Sequence, residues 1–563
     1  MNAIQTEFDI IVIGGGINGL TTAAYLAKTG LKVVVIERRD QVGTHAATEE
    51  WSYPGFRTSP HATSHRVGDS PCMLDLDLEK FGLELYPGRY DFSMCFANGK
   101  AIVPDAWNVN NAYKSIERFS KHDAMVFKDL YKALQPLQSQ IWSNFIYAAP
   151  SLERWDKIAK EFSKLPHVPE DWWNMSAFEL VDLLFEDEQI KAWKVSIPHA
   201  ITMPPNQKII GPLGVLLTSG SSGAKQALGG SHQIPHALIR CIIHYGGKVL
   251  QSSDVEKIII QDGEAKGIIL GRNSSYPAKR IMARRAIVSD LSPVPTFLHL
   301  VGEDHLDKQV AWVLKYEFDY DNEGLFTSSF MTTELPNWKG NEFDPHMREV
   351  WTFLCGVENL DDFKKMIAQL ESDQIPDPLT ALGDDFILTL HDETAAPPGH
   401  HNVQFWLNVP YSLRKLGGPE KWDDVAPQVL EDSIEMVERY APGFRKTIKH
   451  KVGISPLDIF RKNPSAILGS RHGGVVRPGQ LYFDKPFLGC NAPRTPIKNL
   501  YICNGMWPWN NTILATGYIA ALEVIKDLGV GRPSWWSHRP GEWFPMWTER
   551  NGKHSLVNRS FNS

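Results

Sequence analysis

A chain of 563 residues is too long for one simple core and implies two domains or one large interleaved pair. Hydrophobic residues make up 43% and charged residues 22%, an ordinary globular mix. The formal net charge of −7 leaves no basic footprint, which excludes nucleic acid as the expected partner. The first element read in chain order is residues 8–37, "FDIIVIGGGINGLTTAAYLAKTGLKVVVIE". An apolar, β-branched strand runs into Gly14, Gly15 and Gly16, Gly19 opens a helix, Gly30 closes it, and a second apolar strand ends at Glu37.

Each part of that unit has a mechanical reason. Gly14 permits the tight turn with Gly15, Gly16 lets a pyrophosphate approach the backbone, and Gly19 lets helix and strand pack closely. The helix N-terminus at Ile17 and Asn18 offers amides and a positive dipole to phosphates. Glu37 is placed to accept hydrogen bonds from both hydroxyls of an adenosine ribose. An acid there repels a 2′-phosphate, so Arg38 and Arg39 read as surface groups or as one guanidinium near the adenine. The unit is a dinucleotide site that serves FAD or NAD.

The following stretch, 38–60, does not continue into a third strand of a simple nicotinamide domain. Residues 112–142 carry apolar side chains at three-four spacing and read as helical. Residues 204–223 mix a short apolar run with small residues, which suggests a mobile loop or pocket lid. In 234–270 a helix stops at Gly246 and Gly247, and a strand follows. Then comes a hairpin whose Asp262 and Gly263 are a strong two-residue turn signal. "RRAIVSD" (284–290) is a short buried strand, and "VQFWLNVPY" (403–411) alternates as sheet after the turn "PPGHH". Residues 497–529 read as strand, loop and helix, with Gly529 as the stop.

Glu37, Gly43, Thr48, Glu49 and the Pro54-Gly55-Phe56 run resemble the phytoene desaturase-like flavoproteins, within the group that includes amine oxidases. Family members usually carry Gly-Gly where this chain has Gly43 and Thr44, and a small residue where His45 stands. The segment 497–529 is similar to the flavin-ring segment of the family. Trp507 and Pro508 fall where His-Pro is common, and Trp509, Asn510 and Asn511 replace glycines.

The resemblance implies an α/β fold: a discontinuous Rossmann-type FAD-binding domain with an inserted α+β substrate domain. The FAD domain would comprise 1–75, 225–300 and 470–530, and the substrate domain 76–224 and 301–469, followed by a tail, 531–563. FAD is the implied cofactor. Gly43, Thr44 and His45 would border it, the Val255 backbone would meet the adenine, and Asn504 and Gly505 would enter the ring segment. A helix starting near Thr512 would aim the amides of Ile513 and Leu514 at flavin O2, favouring negative charge on the ring.

The implied activity is a desaturase or dehydrogenase that takes hydride from a C–H bond of an apolar isoprenoid or cyclic molecule onto flavin N5. Electrons would then pass to oxygen or a quinone. An amine oxidase-type enzyme, a redox-neutral isomerase and a non-catalytic flavin-binding protein stay open as alternatives. Trp507 and Trp509 would shape the pocket over the ring, or else plug the domain interface. Asn510 and Tyr482 are candidate polar contacts, and His61, His65, His400 and His401 are candidate bases. His45 is a candidate for a covalent flavin link.

The six cysteines (72, 95, 241, 355, 490 and 503) have no CxxC and no metal-ligand spacing, so reduced buried thiols and no metal site are expected. The N-terminus lacks a secretory pattern and no apolar run reaches bilayer-spanning length. A cytoplasmic protein, at most peripheral to a membrane, is expected. The Trp- and Pro-rich tail suits wrapping a neighbouring protomer in a homo-oligomer, or the chain's own body.

Overall fold

In the computed structural model the opening run forms the strand Glu7–Ile13, parallel to Val33–Ile36 on one side and Arg280–Ser289 on the other. The structure describes residues 4–563 except 44, 52, 202, 221–224, 321, 471–472, 478, 481–483, 485, 488–489, 491–492, 505–513, 538–545, 551–552 and 558–563. The first sheet has seven strands. Its path runs Lys248–Leu250, Val33–Ile36, Glu7–Ile13, Arg280–Ser289, Glu264–Leu270, Val255–Gln261. The strand Arg280–Ser289 pairs with the hairpin at its start and with Leu500–Ile502 at its end, so distant stretches of chain build one sheet.

The inner stretches 10–13 and Val33–Ile36 are apolar throughout because both faces are covered. Ile10, Val12, Val33 and Val35 join the core under the helices, whereas Ile11, Ile13, Val34 and Ile36 pack with Phe297, Leu300 and Phe487 on the other side. The helix Ile17–Lys28 follows the first strand and lies against Ala515–Asp527. Thr22 Oγ1 donates to the Gly517 carbonyl at 3.1 Å, and a side chain at 517 would collide with the Asn18 carbonyl. Asp262 and Gly263 both take positive φ, 51° and 73°, in the two-residue turn between Val255–Gln261 and Glu264–Leu270.

A second seven-stranded sheet has the order Ile448–Ile454, Glu323–Thr332, His401–Pro410, Ala381–Ile387, Thr352–Cys355, Ser93–Cys95, Ala101–Ile102. It is antiparallel except where Thr352–Cys355 meets Ser93–Cys95. The helical stretch 112–142 is broken in the structure. Ser120 caps Lys121–Leu134 by accepting from the Asp123 amide, and Pro136 sits in a short 3₁₀ turn beyond it.

Two further expectations change. Within 204–223, expected as a mobile loop or lid, Ile210–Ser219 is a buried helix packed on Ala177–Leu184 and Glu188–Ala200. A helix apolar on all sides belongs inside a core, and its glycines are sites of close approach, since a Cβ at Gly214 would lie 2.6 Å from Pro198 Cβ. The last helix begins at Ala515 rather than near Thr512, with Leu514 left-handed at φ 61° as its cap. In the tail, Trp535 and Trp536 pack on Tyr25, with ring centroids 6.1 and 4.3 Å away, so this part lies against its own body. Among the described residues no helix is long and apolar enough to cross a membrane.

Candidate active site

A cavity of about 640 Å³ opens where the first sheet's strands end. It falls within the usual size of cofactor and ligand sites, roughly 300–1,000 Å³. Gly14, Gly16, Ile17, Asn18, Glu37, Arg38, Gly43, His45, Val255 and Asn504 all line it, so the structure brings these sequence-derived candidates together. Gly43 forms a parallel bridge with Gly16 and donates its N–H to the Gly15 carbonyl at 2.7 Å, which holds Gly43 against the glycine turn.

The glycine turn is built for close approach. Gly14 has φ +96°, where most side chains are strained. A Cβ at Gly19 would lie 2.7 Å from the Gly14 carbonyl oxygen and 2.9 Å from Asp290 Oδ2. Glu37, 8% exposed, accepts from the Gly15 N–H at 2.7 Å through Oε2 and from the Arg39 N–H at 2.8 Å through Oε1. Each oxygen keeps a second lone pair for a ligand hydroxyl.

These residues fit FAD on the structure's own terms. The glycine cradle would be filled by a Cβ, and the anionic acceptor stands at the tip of the second strand. The buried Oδ1 of Asn504, on the cavity wall, has no hydrogen-bond partner among the described residues. Leu514 is buried at the start of the last helix. Thr44, Gly505, Trp507, Trp509, Asn510, Thr512 and Ile513 lie outside the described residues, as does Tyr482.

The histidine candidates separate. His61 lines the cavity with its ring centroid 5.1 Å from that of His45. Burial first, then the charges of His45, Lys462 and Arg39, hold it well below the usual imidazole range. It is a neutral, weak base. His65, also on the wall, shares a 2.9 Å hydrogen bond with Ser231 Oγ and is pushed down to about 4 by burial. His400 and His401 are not among the cavity-lining residues.

Sequence reading did not single out Asp290, the acid that ends "RRAIVSD" and lines the cavity. Burial raises it to about 7, against the opposing pull of the Gly19 and Gly16 amides and Cys503. Asn504 Nδ2 donates to its carbonyl at 2.8 Å. The side chain therefore shares the helix N-terminus with any bound phosphate. The sign is fixed: a raised acid is protonated and harmless below pH 7, and above it becomes an anion that opposes a pyrophosphate. FAD affinity of the apoprotein should thus fall as pH rises through 7, toward tenfold per unit. Titration with FAD from pH 6 to 9 checks this, and Asp290→Asn should flatten the profile. A flat wild-type profile would remove Asp290 from the phosphate site. Phe92, Ala200, Ile201 and Trp406 also form walls here, and no local pattern marks them because separate elements bring them in.

Comparison with known proteins gives the chain relatives over nearly its whole length. Residues 9–198 match the family described as FAD dependent oxidoreductase. The chain is 28% identical over 553 residues to a limonene dehydrogenase polypeptide of Castellaniella defragrans, covering 94% of this chain and 96% of that one. It is 26% identical to pyridine nucleotide-disulfide oxidoreductase domain-containing protein 2 of Rattus norvegicus, covering 93% and 94%. Among solved structures, a putrescine oxidase triple mutant superposes with a TM-score of 0.56 at 13% identity, covering 93% and 98%, which is a likeness of fold.

Proposed function

Because the chain is an FAD-dependent oxidoreductase of the phytoene desaturase-like flavoprotein group, we propose that it is a dehydrogenase or desaturase of an apolar cyclic or isoprenoid molecule. The observation that carries this reading is one continuous cavity, in which the glycine cradle and Glu37 share walls with Phe92, Ala200, Ile201 and Trp406. FAD, when bound, supplies the two-electron acceptor for a hydride leaving a substrate C–H bond.

The chain's own residues do the rest. The amides that open the helix Ile17–Lys28 hold the phosphates, Glu37 orients the ribose, and Val255 borders the adenine. Phe92 and Trp406 exclude water and fix the angle of the reacting C–H bond, where a displacement near 1 Å can cost about a hundredfold in rate. His61, kept neutral, lets an apolar substrate pass without burying a charge. Trp507, Trp509 and Asn510 would close the pocket on the ring side, with Gly505, Thr512 and Ile513 bordering the cofactor. Only one dinucleotide fingerprint is present in the sequence, so the acceptor is oxygen or a quinone rather than a nicotinamide. The six free, buried cysteines support a reducing compartment, the cytoplasm. The similarity to the limonene dehydrogenase polypeptide supports a cyclic substrate.

Anaerobic mixing tests this directly. Limonene or a similar cyclic isoprenoid should bleach the flavin absorbance and yield a product with one more double bond or an oxidised carbon. Bleaching only by amines, with ammonia released, would make the chain an amine oxidase instead. An isomerised product without bleaching would make it redox-neutral.

A further inference from the structure

A second chamber of about 140 Å³ adjoins the cofactor cavity, and the two share Arg66, Phe92 and Ile201 as wall residues. Its other walls include Phe127, Tyr131, Trp142, Ile146, Trp193 and Ile197. The volume is close to that of an engineered apolar cavity, about 150 Å³, that holds benzene. The helix Glu188–Ala200 places one cation on this aromatic wall: Lys194, which is 1% exposed.

Among the described residues, the surroundings of Lys194 hold no counter-charge. Its Nζ donates to Ser219 Oγ at 2.9 Å and lies 5.4 and 5.7 Å from the ring centroids of Trp193 and Phe127. Among the described residues no carboxylate lies within ion-pair distance of it. The other ionisable groups on the chamber wall each have a partner, although Arg66, 5.5 Å from the Trp142 ring centroid, keeps a buried Nη2 with no hydrogen-bond partner among the described residues. Arg66 pairs with Asp69 at 3.0 Å, Asp105 with Arg89 at 2.9 Å, and Asp91 accepts from the Phe92 amide at 2.9 Å. Tyr131 is raised by burial. Burial alone brings Lys194 down to about 7. A buried lysine is costly unless something pairs with it, and packing alone would be served by leucine or methionine.

We propose that the chamber receives the far end of the substrate and that Lys194 pairs there with a terminal carboxylate. The substrate class is then an apolar cyclic or isoprenoid acid, an inference that rests on the dehydrogenase reading of the main cavity. The carboxylate supplies the missing counter-charge, and binding at pH 8 draws a proton onto the otherwise largely neutral amine.

The test uses the purified holoprotein with 4-cyclohexylbutanoate, its methyl ester and butylcyclohexane. Binding is read from the change in flavin absorbance and by calorimetry in buffers of different ionisation enthalpy. The acid should bind at least tenfold more tightly than the ester at pH 7. At pH 8 it should take up close to one proton, and its Kd should rise toward tenfold per pH unit above 7. Lys194→Met should abolish the preference and the proton uptake while FAD content stays unchanged. Lys194→Arg, always charged, should keep the preference and lose the uptake. Equal binding of acid and ester by yellow wild-type protein, or a preference that survives Lys194→Met, overturns the inference. Should Lys194→Met not fold, proton uptake by the wild type decides alone. Colourless wild-type protein would instead overturn the dehydrogenase reading, so the two failures are distinguishable.

Discussion

Replacing Gly19 with valine should leave the purified protein almost free of FAD. The new Cβ would lie 2.7 Å from the Gly14 carbonyl oxygen and 2.9 Å from both Asp290 Cβ and Oδ2. The first is backbone, and Asp290 is itself held through Asn504. Neither yields without moving the turn, so the helix start must swing off the strand. Overpacking of this kind costs about 1–3 kcal/mol in stability. The larger effect falls on the cofactor. Losing two charge-assisted hydrogen bonds to the pyrophosphate, at about 1.5–3 kcal/mol each, weakens binding by roughly a hundredfold to ten-thousandfold. Flavin content and thermal unfolding measured on the same sample check this, with Gly19→Ala as the milder case. A folded Gly19→Val protein with full flavin would place the phosphates elsewhere.

Glu37→Ala should be nearly as severe, for a different reason. The carboxylate ties the Gly15 and Arg39 amides together at 2.7 and 2.8 Å, and its remaining lone pairs face the cavity. Alanine removes the ribose acceptor and releases the turn at once. At about 1.5–3 kcal/mol per hydrogen bond to a charged group, the loss of FAD affinity should be roughly a hundredfold or more. Glu37→Gln should be milder, because one oxygen still accepts while the amide nitrogen faces a donor. Wild-type flavin occupancy in Glu37→Ala after dialysis would show that the ribose does not rest there.

The first βαβ unit was legible because its signals are local: apolar strands, glycines at fixed offsets and an acid at the second strand's tip. The turn at Asp262 and Gly263 and the stop at Gly529, with φ +66°, are local in the same way. What the sequence hid depends on tertiary placement. The helix Ile210–Ser219 looked like part of a lid because small residues are mixed into a short apolar run, whereas in the core its glycines admit neighbouring helices. Asp290 looked like the end of one more strand until the fold set it against the start of the first helix. Lys194 carries no local signal in the sequence, and only the packing of Phe127, Trp142 and Trp193 around one chamber makes its isolation visible. His61 and His400 looked alike as loop histidines, and of these two His61 lines the cavity.

The central claim is that one FAD occupies the cavity running from Glu37 past the glycine turn. Denaturing the purified protein and quantifying the released cofactor tests it most directly. The expected result is a yellow protein that releases about one FAD per chain and whose flavin is not reduced by NADH or NADPH. A colourless protein that releases NAD, or none of either cofactor after reconstitution with excess FAD, would contradict it.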